Sequence, residues 1–240
     1  MFVSSLFLAS LSSVFVQLAV GAPTASSNGQ RGICDVSGLY VHLGEYPNQL
    51  PHPQHNPKFV YLGVGTQNYT CNGSSYGSNG ALAGLIDLSC TGESEYESIA
   101  IEALSRWTAE SNELNGNTFA QNGGLDGINE LGGYLGEHFF MGNIPRWDFS
   151  VAGGIFEGNE NAFVMGAQPA AANVPAPKDT GDSNVAWLYL TRQDGELADE
   201  VYRTDTRGGV APQSCSGSDS IQVKYVSVYW LTGSSNPPSN

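Results

Sequence analysis

Basic residues are scarce in this chain of 240 residues. Nine Lys and Arg stand against 23 Asp and Glu, which gives a formal net charge of −14. Proteins that bind nucleic acid or anionic membranes need clustered Lys and Arg, so both functions are disfavoured. Charged residues make up only 13% of the chain and hydrophobic residues 40%. This balance supports a buried core and excludes an intrinsically disordered protein.

Several motifs for catalysis and cofactor binding are missing as well. The sequence contains no H-E-x-x-H pair, no phosphate-binding G-x-x-x-x-G-K loop and no EF-hand pattern. Gly63-Val-Gly65 begins like a dinucleotide loop, but Asn68 occupies the position of the third glycine. We therefore expect no cofactor. The lack of any C-x-x-C pair argues against a zinc site, and we expect no metal.

The first 21 residues have the pattern of a secretory signal peptide. Phe2 to Val20 is apolar apart from serines and Gln17, and small residues precede a cleavage site after Gly21. The alternative is a membrane anchor, because about nineteen apolar residues nearly span a bilayer. The serines and the small-residue exit favour the signal peptide, followed by a flexible lead-in or pro-segment over residues 22–31. We expect a secreted, extracellular protein that has no contact with the membrane after cleavage.

The four cysteines are expected to form two disulfides, because an even number in an oxidising compartment favours bridges over a metal site. Three pairings are possible. We predict Cys71–Cys90, which closes a local hairpin-like loop, and Cys34–Cys215, which ties the two ends of the domain together. With all four cysteines oxidised, a thiolate nucleophile is not expected.

Two N-glycosylation acceptor sequences lie close together. Asn68-Tyr-Thr and Asn72-Gly-Ser both match the pattern, and secretion makes them candidate sites. In an extended strand, alternation places Tyr69 and Cys71 on one face and the two asparagines on the other. A disulfide on the core face and glycans on the solvent face are therefore compatible.

Short strand patterns dominate the rest of the chain. They cover residues 59–64, 67–71, 81–90, 137–141, 146–151, 162–167, 185–191, 197–206 and 221–231, with a hairpin turn at Asp194-Gly195. The last strand is apolar on both faces, so we expect it to be central. One helix is predicted over residues 93–114. The sequence thus predicts a mainly β protein, an antiparallel sandwich or barrel with one added helix and long loops, as a single domain over 32–233 followed by a disordered tail over 234–240.

His138 is the best catalytic candidate in the sequence. It lies in a strand-like aromatic segment, GEHFF, and Asp148 follows ten residues later. A His–carboxylate pair in a pocket can act as a general acid or base. The alternative is a structural histidine that is hydrogen-bonded within an aromatic core. His52 and His55 lie in a proline-rich loop where their rings do not converge, and the predicted processing does not expose His42 as an N-terminal copper ligand.

Distinctive strings run from about Lys58 to Leu231: FVYLGVGTQNYTCN, LIDLSC, GEHFF, WLYL, and EVYRTDTRGGVAPQSC followed by VKYVSVYWL. Together they resemble the DUF3455 family, a family of unknown function that is common among secreted fungal proteins. The segment Thr206 to Cys215, T-x-G-G-x-A-P-x-x-C, is its most specific part. The resemblance implies a single secreted domain and supplies no mechanism. Some members carry a malate dehydrogenase label, which the missing glycine fingerprint excludes here.

Three functions are compatible with these features. The first is an acidic extracellular protein, monomeric and glycosylated, that binds a glycan, wall or surface ligand, because aromatic side chains suit such ligands. The alternative is a cofactor-independent extracellular hydrolase, lyase or isomerase that uses the His138–Asp148 pair. A structural wall or spore-surface protein is the third. We also expect mild acidity to favour the folded state, because protonation relieves the repulsion of excess negative charge.

Overall fold

Nine antiparallel strands form one continuous sheet in the computed structural model, which describes residues 33–44, 48–111, 115–128, 131–169, 172–177 and 183–234. The strands are β1 (Pro57–Cys71), β2 (Tyr76–Asp87), β3 (Tyr134–Met141), β4 (Ile144–Asp148), β5 (Phe163–Ala167), β6 (Asn173–Val174), β7 (Trp187–Gly195), β8 (Glu200–Gly208) and β9 (Ser220–Thr232). The predicted signal peptide and lead-in, and residues 235–240 of the predicted tail, lie outside the described residues.

The sheet closes into an eight-stranded barrel. Its strands follow the order β1-β2-β3-β4-β5-β7-β8-β9 and return to β1, while β6 pairs with β7 beside the ring. The closing contact pairs β5 with β7, with Val164 opposite Gly195 and Ala167 opposite Thr191. The mainly β antiparallel prediction is confirmed in its barrel form, and the sandwich alternative is wrong. Asp194-Gly195 is not a hairpin turn, because both residues extend β7 along β5.

Two predicted strands, 59–64 and 67–71, are one long strand, β1. It pairs with β2 on one side and β9 on the other, and a register shift between Gln67 and Tyr69 bends it. The last strand lies between β1 and β8, as its two apolar faces indicate. Alternation along these long strands divides their side chains between the inside and the outside of the barrel.

Apolar side chains fill both faces of the barrel wall. Inside, the ring of Tyr61 stacks on Tyr229 at a centroid distance of 5.6 Å, and Trp147 packs edge-on against Tyr229 at 5.7 Å. Outside, Val60 and Trp230 belong to a second buried cluster that also contains helical residues. The wall is therefore buried on its helix-covered side as well as inside, which explains why β9 is apolar throughout.

Two helices cover the outer face. The predicted helix begins with a short 3₁₀ turn at Glu93–Glu95 and continues as α1 (Tyr96–Ala109); residues 112–114 of the prediction lie outside the described residues. The indole of Trp107 donates to the carbonyl of Gly65 at 2.7 Å and fixes α1 to the barrel. The sequence did not predict α2 (Gly116–Gln121), whose first turn is capped by Asn115. No helix in the described ranges is long and apolar enough to cross a bilayer.

All four cysteines form disulfides, but the predicted pairing is wrong. The bonds are Cys34–Cys90 and Cys71–Cys215, with Cα–Cα distances of 5.1 and 5.9 Å. Cys71 lies at the β1–β2 turn, whereas Cys90 lies beyond the far end of β2. A 12-residue strand separates these points by roughly 36 Å at 3.3 Å per residue. A disulfide cannot span that distance.

Peptide mapping under non-reducing conditions is expected to recover the Cys34–Cys90 and Cys71–Cys215 fragments. The structure brings these Cα atoms to 5.1 and 5.9 Å, both within bonding range. A linked fragment that contains Cys71 and Cys90 would contradict the strand arrangement described here.

Candidate functional site

His138 lies inside the barrel rather than in an open pocket. The residue is 2% exposed, and its ring stacks on Trp147 at a centroid distance of 4.4 Å. Its Nδ1 donates to the backbone carbonyl of Arg146 at 2.9 Å. Burial lowers the pKa of His138 to about 3, although the hydrogen bond to Arg146 acts in the opposite direction. The ring is therefore neutral, and it fits the structural alternative.

Asp148 does not meet His138. In the β3–β4 pair, Asp148 stands opposite Glu137 and His138 opposite Trp147, so the two predicted partners point to opposite faces of the wall. The carboxylate of Asp148 instead pairs with the guanidinium of Arg146 at 2.6 Å and accepts from the backbone amide of Ser150 at 2.9 Å. Trp147, which lies opposite His138, and Asp148 are neighbours in β4, so their side chains point to opposite faces. The predicted His138–Asp148 acid–base pair is therefore wrong.

A surface groove lies between two irregular segments. It has a volume of about 450 Å³ and is lined by residues 37–41, 43 and 52–57. This size falls within the range of roughly 300–1,000 Å³ that ligand sites occupy. Tyr40 on one wall is 82% exposed. His52 and His55 are on the other wall, with Gln54 and Asn56 beside them.

Buried hydrogen bonds hold the groove walls on the barrel. Glu200, a buried residue of β8, accepts from the backbone amide of Gln54 at 3.1 Å and from the hydroxyl of Thr232 at 2.5 Å. The amide of Leu50 donates to the carbonyl of Leu43 at 2.8 Å and joins the two segments. The groove is therefore positioned by the barrel before any ligand binds.

The structure forms a different His–carboxylate pair beside this groove. Nδ1 of His42 lies 3.4 Å from both carboxylate oxygens of Asp205, a residue 163 positions away in sequence. The hydrogen bond to Asp205 raises the pKa of His42 above its ordinary value, burial opposes this, and the charges of Asp205 and Glu93 reinforce it. His42 has a side chain that is 47% exposed, in contrast to the buried His138.

Asp205 reaches His42 through an irregularity in β8. The register with β9 shifts between Thr204 and Arg207, and Asp205 has a φ of 47°. It is the only residue other than glycine with a positive φ in the part of the chain that the structure describes. The hydroxyl of Thr204 donates to the Asp205 carboxylate at 2.7 Å and accepts from the Trp230 indole at 3.2 Å. Both Thr204 and Asp205 thus reach the outer side, which regular alternation does not allow.

Sequence reasoning missed this pair. His42 sits in a segment without regular structure, and no local spacing connects it to Asp205. The one available signal was the position of Asp205 directly before the distinctive Thr206 to Cys215 segment, because clustered glycines such as Gly208 and Gly209 often mark bulges. Both of these glycines have positive φ values, 72° and 92°.

A second groove of about 510 Å³ lies under α2 and is lined by residues between Gln121 and Tyr134, with Ile86 and Ala120. The Tyr134 hydroxyl donates to the Asn117 side chain at 2.5 Å, and Asn117 in turn donates to Glu137. These polar groups already satisfy one another.

One further motif has a plain structural position. The string Gly73-Ser-Ser-Tyr-Gly77 matches the G-x-S-x-G nucleophile pattern, but it joins β1 to β2, whereas that motif requires a strand followed by a helix. The hydroxyl of Ser75 donates to the side chain of Asn72 at 3.1 Å. In the described residues no three His, Cys, Asp or Glu side chains are placed to hold a metal ion.

The two glycosylation sequences lie near the end of β1. Asn72 is exposed, whereas Asn68 is half-buried and accepts from the hydroxyl of Thr66 at 3.0 Å. The Tyr69 hydroxyl donates to the Gly209 carbonyl at 2.8 Å, and Cys71 is in its disulfide. Glycosylation at Asn68 and Asn72 stays a prediction, and Asn72 offers the more accessible amide.

Comparison with known proteins identifies one family. Its model, described as a protein of unknown function, matches residues 51–233, well over half of the chain. The match includes Asp205 and the 52–57 wall of the groove, whereas His42 and the 37–43 wall precede it. No curated protein and no solved structure matches the chain significantly. The chain therefore belongs to the DUF3455 family, as its sequence strings indicate.

Proposed function

We propose that this protein is secreted and binds a neutral oligosaccharide of a wall or cell surface in the groove at Tyr40. The observation that carries the proposal is the exposure of Tyr40: an aromatic ring that is 82% exposed lies on the wall of a preformed groove of about 450 Å³. Sugar rings present flat C–H faces that pack on aromatic rings, and an exposed tyrosine offers such a surface at low cost in conformational entropy.

The opposite wall supplies polar groups suited to sugar hydroxyls. His52, Gln54, His55 and Asn56 line it and combine hydrogen-bond donors and acceptors in a short loop. The net charge of −14 disfavours an anionic ligand such as a uronate polymer. A neutral, hydroxyl-rich ligand therefore fits the groove best, and a single groove on a monomer is sufficient for binding.

The two disulfides are consistent with an extracellular protein, because such bonds persist in oxidising compartments. Together with the predicted signal peptide over 1–21, they support secretion. Of the alternatives, the enzymatic one loses its predicted pair, since His138 and Asp148 face opposite sides of the wall. A structural wall or spore-surface protein would need no preformed groove, and the binding experiment below separates it from the proposal.

Replacing Tyr40 with Ala is expected to weaken oligosaccharide binding about tenfold, the equivalent of roughly 1.4 kcal/mol of aromatic contact. Calorimetric titration with neutral gluco-, manno- and chito-oligosaccharides measures the effect. Tyr40→Phe, which keeps the ring, should retain most of the affinity. Ile101→Ala is the matched control, since Ile101 is also exposed but lies on α1 away from the groove. A wild-type protein that binds none of these sugars would refute the proposal.

A further inference from the structure

The orientation of His42 leaves one ring nitrogen available. Asp205 faces Nδ1 at 3.4 Å, so Nε2 points away from the carboxylate, and the side chain is 47% exposed. A histidine held by a carboxylate through one nitrogen can exchange a proton with a substrate through the other. Oriented His–carboxylate pairs of this kind recur in acid–base catalysis.

The backbone at Asp205 is strained to form this contact. A φ of 47° is unfavourable for a residue with a side chain, and a bulge places the carboxylate on the outer face beside Thr204. Such strain persists where the surrounding structure imposes it, and it concentrates at functional sites. A glycine at this position would fit the backbone without strain but would provide no carboxylate.

The charges around His42 favour one kind of chemistry. The groups whose charges act on its ring are the carboxylates of Asp205 in β8 and Glu93 in the 3₁₀ turn. Tyr96 of α1 has a buried hydroxyl without a hydrogen-bond partner, and burial followed by the charges of Glu93, Asp87 and Asp205 raises its pKa. Arg207, further along β8, is paired with Glu97 at 2.8 Å. Positive charge that develops in a reaction is stabilised here, and negative charge is not.

Glycosidic bond cleavage is a reaction that develops positive charge on the substrate, because its transition state resembles an oxocarbenium ion. Acyl transfer develops an oxyanion and needs donors such as paired amides or an arginine. The carboxylates near His42 therefore favour cleavage of glycosides over cleavage of esters.

The groove and the pair share one short segment. Val41 and Leu43, the neighbours of His42, line the groove, and the amide of Tyr40 donates to Glu93 at 3.1 Å. A ligand that stacks on Tyr40 is therefore held next to the segment that carries His42.

We infer that His42 and Asp205 form a proton-transfer site that hydrolyses glycosidic bonds of the neutral oligosaccharide bound in the groove, an inference that rests on the proposed function. Protonated His42 gives its Nε2 proton to the glycosidic oxygen while the bond from that oxygen to the anomeric carbon breaks. A water oxygen bonds to the anomeric carbon, and the proton that the water releases passes to solvent, from which His42 is reprotonated. Asp205 is a positioning residue that orients the ring and holds its charge.

The test combines hydrolysis and binding on the full mature chain. Hydrolysis is measured with 4-nitrophenyl glycosides of glucose, mannose, galactose and N-acetylglucosamine and, by release of reducing ends, with the hexasaccharides of the same sugars. His42→Gln is expected to lower kcat on the hexasaccharides at least 100-fold, the lower range for loss of a general acid, and to affect the 4-nitrophenyl glycosides less, because 4-nitrophenolate leaves without being protonated. Asp205→Asn should lower kcat about tenfold and move the basic limb of the pH profile to lower pH, because the carboxylate no longer stabilises the imidazolium. Glu160→Gln, an exposed charge-matched control, should change neither kcat nor the pH profile.

Asp205→Gly guards against a variant that fails to fold. Glycine adopts a φ of 47° freely, so this variant should remain folded by circular dichroism while hydrolysis falls, because the carboxylate is lost. Hydrolysis by the wild type that disappears in His42→Gln supports the inference. A wild type that binds an oligosaccharide but cleaves none overturns it and leaves the proposed function intact. A wild type that neither binds nor cleaves overturns both, and a His42→Gln variant with altered stability but unchanged kcat shows that the pair only holds the segment in place.

Discussion

Acidification from pH 7.5 to 5 is expected to lower the free energy of unfolding by about 2 kcal/mol through His138 alone. Burial of its ring against Trp147 lowers the pKa to about 3 in the folded protein, against 6.5 ordinarily. Because the folded-state pKa is the lower one, this contribution is fully present above pH 6.5 and is lost as the pH falls towards 3. At pH 5 the unfolded chain binds a proton that the folded protein excludes.

Two effects oppose this loss. The pKa of His42 is raised, mainly by its hydrogen bond to Asp205, so its contribution is present below pH 6.5 and is lost as the pH rises through the folded-state value. Solvent screens this half-exposed pair, which limits its contribution. Protonation of carboxylates also relieves the net charge of −14. We expect the fully buried His138 to dominate. Its destabilising effect on acidification should therefore outweigh the stabilisation by mild acid that composition alone predicts.

Urea unfolding at pH 7.5, 6.5 and 5 measures the balance. His138→Phe keeps an aromatic ring against Trp147 and removes the titrating group, so its free energy of unfolding should be flat or should rise on acidification. The substitution should lower the free energy of unfolding by about 1–3 kcal/mol at pH 7.5, because the carbonyl of Arg146 loses its hydrogen-bond donor. His52→Gln, an exposed loop control, should follow the wild type. A decline in His138→Phe equal to that of the wild type would place the pH dependence elsewhere.

Replacing both Cys34 and Cys90 with Ser is expected to abolish oligosaccharide binding and to lower the free energy of unfolding by about 4 kcal/mol. The chain-entropy model yields this size for a loop with a sequence separation of 56 residues. The disulfide anchors one end of segment 33–44, which forms the Tyr40 wall of the groove. Without it, the wall is held only by noncovalent contacts, such as the Cys34 amide with the Ser89 hydroxyl at 2.8 Å.

The second disulfide is the matched control. Replacing Cys71 and Cys215 with Ser should lower the free energy of unfolding by about 5 kcal/mol, since the separation is 144 residues. This bond lies at the opposite end of β1 from the groove loop, so the folded variant should keep its affinity. Calorimetric binding on folded protein, with unfolding measured separately, distinguishes the two variants. Equal loss of affinity in both would show that the groove does not depend on the Cys34 anchor.

Local patterns predicted most of the strands but not their closure. Alternation and apolar runs located the predicted strand over 221–231, and its apolar character on both faces indicated a central position, as found between β1 and β8. Barrel and sandwich share such patterns, because closure depends on whether distant edges meet, here β5 and β7. The helix α2 was missed because its six residues contain glycine and asparagine, which are poor helix formers.

The candidate site was predictable only in kind. A His–carboxylate pair was expected, yet strand alternation separates His138 from Asp148, and a bulge at Thr204 to Arg207 brings Asp205 to His42 instead. Because strand alternation is regular, the sequence alone could have excluded the His138–Asp148 pair. Predicting the His42–Asp205 pair would have required the position of the segment that carries His42. This segment has no regular structure, so no periodicity in the sequence encodes its position.

The sequence by itself determined the β class of the fold and the oxidation of the cysteines: it has enough apolar alternation for a β fold, and its four cysteines all form disulfides. Tertiary structure alone decided which cysteine meets which and that His42 meets Asp205. These contacts join residues 56, 144 and 163 positions apart. Their geometry follows from strand order, barrel closure and one strained bulge, and each of these depends on the packing of the whole barrel rather than on neighbouring residues.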